Sequence, residues 1–548
     1  MSRAPRATRR FVTVDGRQVH YRRIGSGPAA VLLHESPLSS RVLLPLAEAL
    51  AARGFTALAL DTPGYGQSDP LPEPAQPVAA DYARATARAI EALGVRECVL
   101  YGAHTGAQIA VETARLFPGL LTAVIAEGPP ILTAEERADL LAHYCPPLPA
   151  QWDGSHLLAT WQMRRDQAIF WPWYAHDRAH RRSADMLPAH VLHDGLVDTL
   201  RAGAGYGLGY RAAYLYDCGA ALQQLTVPAH VVTTEGIFLA DQLQRLPPLP
   251  DTVTVELLPE QRATALARIC DLAESHRPAA PAPLPPPSLH LAGRITRDYA
   301  LTASGQVLVR RATEAAGRPL VMLHASPGSA AELEPLMLQL APERPVVALD
   351  TLGHGESDPP PWESGLVEDY ARSVIAAIDR LGIADFDLYG AFTGAEIALG
   401  VAQLASHRVR SLVLDNVNLA PPDVRMALHE RYAAPVEPRE DGSHLLAAWN
   451  GLRDAAAFFP AFLRTRESIS WRDPPSTQEL HARLIEQLKG TATHHIATRA
   501  GLVHDTARAL RAVQCRTLVI SALGDALHPY SEEAVSLLAE GEGYVVHG

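Results

Sequence analysis

The chain contains 548 residues, of which 47% are hydrophobic and 20% are charged. Single domains usually hold roughly 100–200 residues, so this length predicts at least two domains. The net charge of -12 argues against nucleic-acid binding, which needs clustered basic residues. No apolar run reaches the roughly 18–20 residues that span a bilayer, and the basic N-terminus precedes no apolar segment, so we expect neither membrane insertion nor secretion. Five widely spaced cysteines favour a reducing cytoplasm over a disulfide framework.

The first predicted elements are two strands in a hairpin over residues 11–25, with Asp-Gly at the turn. Six short apolar runs follow, and helical patterns separate most of them: AAVLLHE, FTALALD, ECVLYGA, LTAVIAE, AHVVTTE and TVTVELL. Continuous apolar strands that alternate with helices predict a mostly parallel sheet buried on both faces. A long insertion at about residues 130–226 separates the fourth run from the fifth, and we interpret its helical patterns and aromatic cluster as a helical cap.

The same pattern then occurs a second time. Residues 99–110 read VLYGAHTGAQIA and residues 387–398 read DLYGAFTGAEIA, while DGSHLLATWQMRRD from residue 153 recurs as DGSHLLAAWNGLRD from residue 441. Matching motifs stand 288 to 290 positions apart throughout the chain. Self-similarity at a constant offset indicates two copies of one domain fused in tandem.

The sequence also indicates where the two copies are joined. Residues 276–290 hold six prolines, which predicts a semi-rigid polyproline II linker. We therefore predict an N-terminal tail over 1–9, a first domain over 10–275 and a second domain over 291–548, with its own cap at about 418–514.

Four landmarks in each copy resemble the α/β-hydrolase superfamily. In the first copy these are His34-Glu35-Ser36-Pro37, the Asp- and Gly-rich segment 61–69, the turn Gly102-Ala103-His104-Thr105-Gly106, and the position of the cap. The proline of the first motif and the Thr-Gly-Ala after residue 104 resemble the epoxide-hydrolase and dehalogenase-like branch. The resemblance implies two fused α/β-hydrolase domains, each a mostly parallel sheet flanked by helices with a helical cap.

The turn at residues 102–106 corresponds to the family's nucleophile elbow, which normally presents Ser, Asp or Cys. Here the central residue is His104, and its counterpart in the second copy is Phe392. Because a phenyl ring neither attacks a substrate nor transfers a proton, we expect the first copy to be the active one. Neither copy supplies a complete Ser-His-Asp set, although Asp525 stands where the family places its acid.

Three interpretations of His104 remain open: a general base, a nucleophile, or a relic that fills the pocket. The resemblance implies an oxyanion hole made by the backbone amides of Glu35 and Thr105. Glu127 stands where some family members carry an alternative acid and would orient His104, and Asp415 is its counterpart. The alternative for Glu127 is a structural acid at a helix terminus or on the surface.

Further candidates would line the cap or the substrate pocket, although each could equally be structural. In the first copy these are His34, His156, Trp161, Arg165, Trp171, Trp173 and Tyr174. The second copy contributes His444 as the counterpart of His156. Its clustered histidines follow no recognised metal-ligand spacing, so we expect no metal and no cofactor.

The sequence thus favours a hydrolase without the usual triad, in which His104 acts as general base in hydrolysis or lytic cleavage of a small apolar or aromatic carbonyl compound. The first alternative is a non-catalytic pseudo-hydrolase that binds a ligand or acts as a scaffold. The second is an isomerase or lyase on the same fold. The expected partner is a small molecule, with no nucleic acid and no membrane, and we expect the two domains to pack as a pseudo-dimer.

Overall fold

The computed structural model describes residues 6–284, 286–287, 289–470 and 473–547. It divides into two compact units. The first comprises the chain up to Pro149 together with His156–Leu289, and the second comprises Ala150–Ser155 together with the chain from His290 onward. Each unit contains one eight-stranded sheet.

The sheet of the first unit begins with the predicted hairpin and continues as parallel strands. Its strands, in chain order, are β1 (Thr8–Val14), β2 (Arg17–Gly25), β3 (Ala29–Leu33), β4 (Thr56–Leu60), β5 (Cys98–Ala103), β6 (Leu121–Glu127), β7 (Ala229–Thr234) and β8 (Val253–Leu258). They are arranged as β1-β2-β4-β3-β5-β6-β7-β8. Strands β1 and β2 pair antiparallel, β2 pairs antiparallel with β4, and the remaining pairs are parallel.

Nine helices belong to the part of the first copy that the structure describes. They are α1 (Leu44–Ala52), α2 (Ala79–Ala92), α3 (Thr105–Leu116), α4 (Ala134–His143), α5 (Ser155–Ile169), α6 (Ala189–Ala202), α7 (Leu208–Leu215), α8 (Cys218–Leu222) and α9 (Arg262–Ser275). Helices α4 to α8 lie between β6 and β7, within the first insertion, which we define as residues 128–228.

Both faces of the central strands of the first sheet are buried, as the continuous apolar strands predicted, whereas the edge strand β8 exposes Val255 and Leu257. Val31 and Leu33 of β3 point into a core that also contains residues of α2, α3 and α8. Ala30 and Leu32 of the same strand point to the opposite face and pack with residues of α1 and α9. Because successive strand residues alternate between faces, two helical layers are needed to cover these strands.

The second unit repeats this order of elements. Its strands are β9 (Thr296–Thr302), β10 (Gly305–Ala312), β11 (Leu320–Leu323), β12 (Val346–Leu349), β13 (Phe386–Ala391), β14 (Val409–Asp415), β15 (Arg516–Ala522) and β16 (Gly541–Val546). Its helices are α10 (Glu334–Leu340), α11 (Val367–Arg380), α12 (Thr393–Leu404), α13 (Pro422–Arg431), α14 (Ser443–Ala457), α15 (Thr477–Lys489), α16 (His494–Val503), α17 (Thr506–Ala512) and α18 (Ser531–Leu537). The strand order, β9-β10-β12-β11-β13-β14-β15-β16, matches that of the first sheet. The predicted fold class, two mostly parallel sheets flanked by helices, is confirmed.

The proline-rich segment lies against the first unit. The backbone amide of Ala282 donates to the carbonyl of Gly27 at 2.8 Å, and the guanidinium of Arg23 donates to the carbonyl of Pro283 at 3.0 Å. Within the described ranges, no helix is both long enough and apolar enough to cross a membrane.

Candidate active site

The first unit forms a sharp bend between β5 and α3, with His104 at its tip. His104 has φ 48° and ψ -108°, a backbone conformation that residues with a side chain seldom adopt. A Cβ atom at Gly106 would lie 2.6 Å and 2.7 Å from the carbonyl oxygens of Leu33 and His34, which explains why a glycine stands there. The bend therefore depends on close packing of α3 against the end of β3.

The imidazole of His104 is partly buried and lines a cavity of about 260 Å³. Gly128 lies against the ring, because a Cβ atom there would be 3.2 Å from Cε1 and 3.3 Å from Nδ1. Across the described ranges, no side chain donates to or accepts from the imidazole nitrogens. Both ring nitrogens therefore remain available to a molecule bound in the cavity.

The two predicted oxyanion-hole residues, Glu35 and Thr105, line the same cavity. In the described part of the chain, neither of their backbone amides donates a hydrogen bond to another residue. The hydroxyl of Thr105 accepts from the amide of Ser36 at 2.7 Å and donates to the Ser36 hydroxyl at 3.1 Å, which ties the β3 turn to α3. Two unpaired amides beside a cavity can stabilise a developing negative charge.

His34 lies beneath this turn and is not among the residues that line the cavity. Its Nδ1 lies 2.9 Å from the carbonyl oxygen of Glu35, and the amide of Thr62 donates to its Nε2 at 3.0 Å. These two contacts match the arrangement in which Nδ1 donates to Glu35 and Nε2 accepts from Thr62. His34 fixes the conformation of the turn that presents the Glu35 amide.

Glu127 holds the bend from the other side. Its backbone carbonyl accepts from the amide of His104 at 2.8 Å. Its buried carboxylate accepts from the hydroxyl of Tyr101 and forms an ion pair with Arg262. Burial and the neighbouring Glu127 carboxylate raise the pKa of Tyr101 well above its usual value, so the phenol stays protonated. The carboxylate thus bonds to Tyr101 and Arg262, and the hydrogen bond to the imidazole expected from the sequence is not formed.

The aromatic run of the first insertion contributes Trp171 to the cavity. The Trp171 ring stacks on Phe238, with 4.0 Å between ring centroids and 18° between planes. Tyr144 lies at centroid distances of 5.0 Å from Tyr210 and 5.5 Å from Tyr214, and all three tyrosines line the cavity. Burial raises the pKa of each of these tyrosines, so they present neutral hydroxyls on an aromatic wall.

The other predicted residues of this insertion lie outside the cavity lining. His156 and Trp161 are buried, and Arg165 does not reach the lining. The Trp173 indole donates to the carbonyl of Tyr144 at 2.9 Å, and the Tyr174 hydroxyl donates to the carboxylate of Asp139. These last two contacts connect the aromatic run to Tyr144 and to α4.

Several lining residues were not predicted as site residues from the sequence. They are Ser36, Leu38, Pro130, Tyr144, Arg164, Gln167, Ala168, Arg182, Ala184, Asp185, Leu187, Tyr210, Tyr214, Phe238 and Leu239. Tyr210 and Tyr214 could have been found from their spacing of four residues, which places both side chains on one helix face. Phe238 lies in the segment after β7.

In the second unit the same bend carries Phe392, with φ 49° and 42% of its side chain exposed. The Asn416 side-chain amide donates to the carboxylates of Asp415 and Asp525, each at 3.0 Å. Burial, and then the nearby Asp525, raise the pKa of Asp415. His444 is buried, and its Nδ1 accepts from the amide of Arg439 at 3.1 Å. This end of the second sheet is polar, but the phenyl ring at its bend can neither attack a substrate nor transfer a proton.

Within the described ranges, no three or more His, Cys, Asp or Glu side chains are grouped so that they could hold a metal ion.

A family model described as alpha/beta hydrolase fold matches residues 29–154 and 318–537, which together make up more than half of the chain. The chain therefore belongs to the family of proteins with the alpha/beta hydrolase fold. The first matched range contains the bend at His104, and the second contains the bend at Phe392.

Three curated proteins illustrate the range of relatives. The dihydrolipoyllysine-residue acetyltransferase component of the acetoin cleaving system of Pseudomonas putida is 35% identical over 132 residues, 24% of this chain and 32% of the relative. The 2-hydroxymuconate semialdehyde hydrolase of Pseudomonas sp. (strain CF600) is 38% identical over 102 residues, 18% of this chain and 36% of the relative. The bifunctional epoxide hydrolase 2 of Mus musculus is 35% identical over 127 residues, 22% of each chain. The chain thus spans well under half the length of each.

Two solved structures are similar to one half of the chain. The E-2-(acetamidomethylene)succinate hydrolase is 23% identical, covers 50% of this chain and 99% of its own, and has a TM-score of 0.37. The epoxide hydrolase A of Mycobacterium thermoresistibile is 18% identical, covers 49% of this chain and 98% of its own, and has a TM-score of 0.40.

Proposed function

We propose that the first unit hydrolyses a small carbonyl compound with an apolar or aromatic body, and that His104 is the general base. One observation carries the proposal. The imidazole of His104 faces a cavity without a hydrogen-bond partner in the described chain, beside the unpaired amides of Glu35 and Thr105. Imidazole is the side chain that most readily takes and returns a proton near neutral pH.

In the proposed reaction the substrate carbonyl oxygen accepts hydrogen bonds from the Glu35 and Thr105 amides. His104 takes a proton from a water molecule, whose oxygen attacks the carbonyl carbon. The tetrahedral intermediate then expels its leaving group, which receives the proton from His104. The protein forms no covalent bond to the substrate, and atoms and charges balance with water as the only co-reactant.

The aromatic wall supports the proposal that the substrate has an apolar or aromatic body. Trp171 and Phe238 present a flat apolar surface, and the neutral hydroxyls of Tyr144, Tyr210 and Tyr214 add polar points for orientation. A cavity of about 260 Å³ fits a small molecule.

The test is a panel of small carbonyl compounds (esters, lactones and vinylogous ketones), offered to the full chain and to His104→Ala. We expect at least one substrate to be turned over, and we expect the substitution to lower kcat at least a hundredfold, the usual contribution of a general base. Phe392→Ala, the equivalent substitution in the second copy, should retain activity. A fluorophosphonate should label neither unit at the bend. Undiminished turnover by His104→Ala would rule the mechanism out.

A non-catalytic binding function is the second candidate, and one observation favours it. The carboxylate of Glu127 bonds to Tyr101 and Arg262, and among the described residues no carboxylate forms a hydrogen bond with the imidazole. If the whole panel is left intact while a small ligand still binds in the first cavity, the binding function replaces the hydrolytic one. A product of unchanged mass would instead identify an isomerase.

A further inference from the structure

The side of the cavity formed by the first insertion carries two positive charges. The guanidiniums of Arg164, on α5, and of Arg182, in the segment after it, both line the cavity. Both guanidiniums act electrostatically on Tyr144, which is itself part of the aromatic wall. The part of the lining that the first insertion supplies therefore contains two cations and one acid, Asp185, and is net positive.

These two charges lack a protein counterion. In the part of the chain that is described, neither arginine forms an ion pair, and the lining acids Glu35 and Asp185 reach neither guanidinium. The Nε atom of Arg164 is buried and has no hydrogen-bond partner. Burial also lowers the pKa of Arg182. Both arginines are partly buried, and a partly buried cation is stabilised by an anion, which the described part of the protein does not supply here.

Both guanidiniums are nevertheless held in place. Arg164 donates to the side chain of Gln167 and packs against Gly195, where a Cβ atom would lie 2.8 Å from its terminal nitrogen. Arg182 donates to the backbone carbonyl of Gln167, and its Cζ lies 5.3 Å from the centre of the Phe238 ring. Positioning before binding reduces the entropy lost when a ligand arrives.

The second copy provides an internal comparison. At the positions 288 residues further along, Leu452 stands in place of Arg164 and Ser470 in place of Arg182, and Phe392 stands in place of His104. The two cations and the imidazole are therefore present together in one copy and absent together from the other. That pattern is expected if all three serve the same bound molecule.

We propose that the substrate of the first unit carries a carboxylate, which Arg164 and Arg182 bind while its carbonyl lies at His104. The planar fork of a guanidinium matches a planar carboxylate through paired hydrogen bonds. The apolar body between the two groups lies on Trp171 and Phe238. This assignment rests on the proposed function for the reacting carbonyl, whereas the carboxylate site itself rests on the two arginines.

The test measures binding to the full chain by titration calorimetry, with phenylacetate as probe and neutral phenylacetamide as its isostere. We expect phenylacetate to bind at least tenfold more tightly than the amide. Arg164→Gln and Arg182→Gln should each weaken phenylacetate at least tenfold and leave the amide unchanged, which also shows that each variant is folded. Arg178→Gln, an exposed arginine of the same insertion outside the cavity, is the matched control and should bind normally.

Equal affinity for acid and amide, or normal phenylacetate binding by both variants, would overturn the carboxylate site. Tighter binding of phenyl phosphate than of phenylacetate would also overturn it, because the site would then prefer a phosphoryl group. His104→Ala should still bind phenylacetate. If that binding persists but no carbonyl compound is turned over, only the proposed function fails. If turnover depends on His104 but is the same for charged and neutral substrates, only the carboxylate site fails.

Discussion

Position 104 and position 392 share a backbone conformation but not a chemistry. Their φ angles are 48° and 49°, and each amide donates to the carbonyl of the last residue of the neighbouring strand, Glu127 or Asp415. The strained bend is thus retained even where the side chain has become a phenyl ring. Retention of the bend without a reactive group indicates that the bend is required by the packing of α3 and α12, whatever the central residue does.

The glycine two residues after His104 allows a sharp stability test. In Gly106→Ala the new Cβ would press on two backbone carbonyl oxygens at 2.6–2.7 Å, and backbone atoms cannot easily yield. We expect a loss of about 2 kcal/mol or more, read as a lower midpoint of thermal unfolding. Gly119→Ala meets nothing within 4 Å and should change stability by less than about 0.5 kcal/mol. Equal midpoints for the two variants would show that the bend tolerates a side chain.

At the scale of elements, α4 positions one residue of the aromatic wall, since Tyr144 follows its last turn. The helix begins with a capping box: the Thr133 hydroxyl accepts from the amide of Glu136 at 3.2 Å, and the Glu136 carboxylate accepts from the amide of Thr133 at 2.9 Å. Ser476 and Glu479 form the same arrangement at the start of α15. Each insertion therefore contains a helix that begins with a capping box, although the two helices do not correspond, since at the offset of 288 residues α4 aligns with α13 and α15 aligns with α6.

These two capping boxes provide a matched pair of substitutions. Thr133→Ala should cost about 1 kcal/mol and speed amide exchange in α4 roughly fivefold, while α15 stays unchanged. Ser476→Ala should do the reverse. Hydrogen exchange followed by mass spectrometry reads both helices in one experiment. Exchange that rises in both helices for either substitution would mean that the capping box has no local effect.

The elements were predictable from the sequence, whereas the cavity lining was predictable only in part. The hairpin over residues 11–25 and the six apolar runs fall on β1 to β8, because strand periodicity and turn residues are local signals. The sequence predicts Arg165, which recurs as Arg453 in the second copy, as a pocket residue, yet it is Arg164 that lines the cavity. Which face of α5 meets the cavity depends on tertiary packing, and no local pattern encodes it.

At the scale of the whole molecule, the two copies differ in the hydrogen bonds that join the loops at the end of the sheet to the inserted helices. The first unit uses Tyr65, whose hydroxyl donates to the carbonyl of Tyr206 at 3.1 Å. The corresponding residues of the second unit are His354 and His494. The Ser326 hydroxyl lies 2.8 Å from Nε2 of His354 and donates to the carbonyl of His494 at 3.1 Å. In the first copy this junction uses the phenol of Tyr65, and in the second it uses the Ser326 hydroxyl together with the imidazole of His354.

This difference predicts that acid destabilises the second unit selectively. Burial, and then the nearby His495, lower the pKa of His494 to about 4, and both of its ring nitrogens are buried without a partner in the described chain. An unfolded histidine titrates near 6.5, so between about pH 6.5 and 4 the unfolded state binds the extra proton and stability falls as the pH falls. His494→Leu removes the titrating group and should be no less stable than the parent chain at pH 7.

Limited proteolysis at pH 7 and pH 5, with cleavage sites mapped by mass spectrometry, separates the two units. The parent chain should become sensitive at pH 5 in the second unit before the first, and His494→Leu should delay that change. Cleavage that appears first in the first unit, or an unchanged pH response in His494→Leu, would contradict the prediction. Because His354 is also buried and its pKa also lies well below the usual value, some acid sensitivity should persist in the single variant. The double variant His354→Tyr, His494→Leu should therefore resist acid more than either single change.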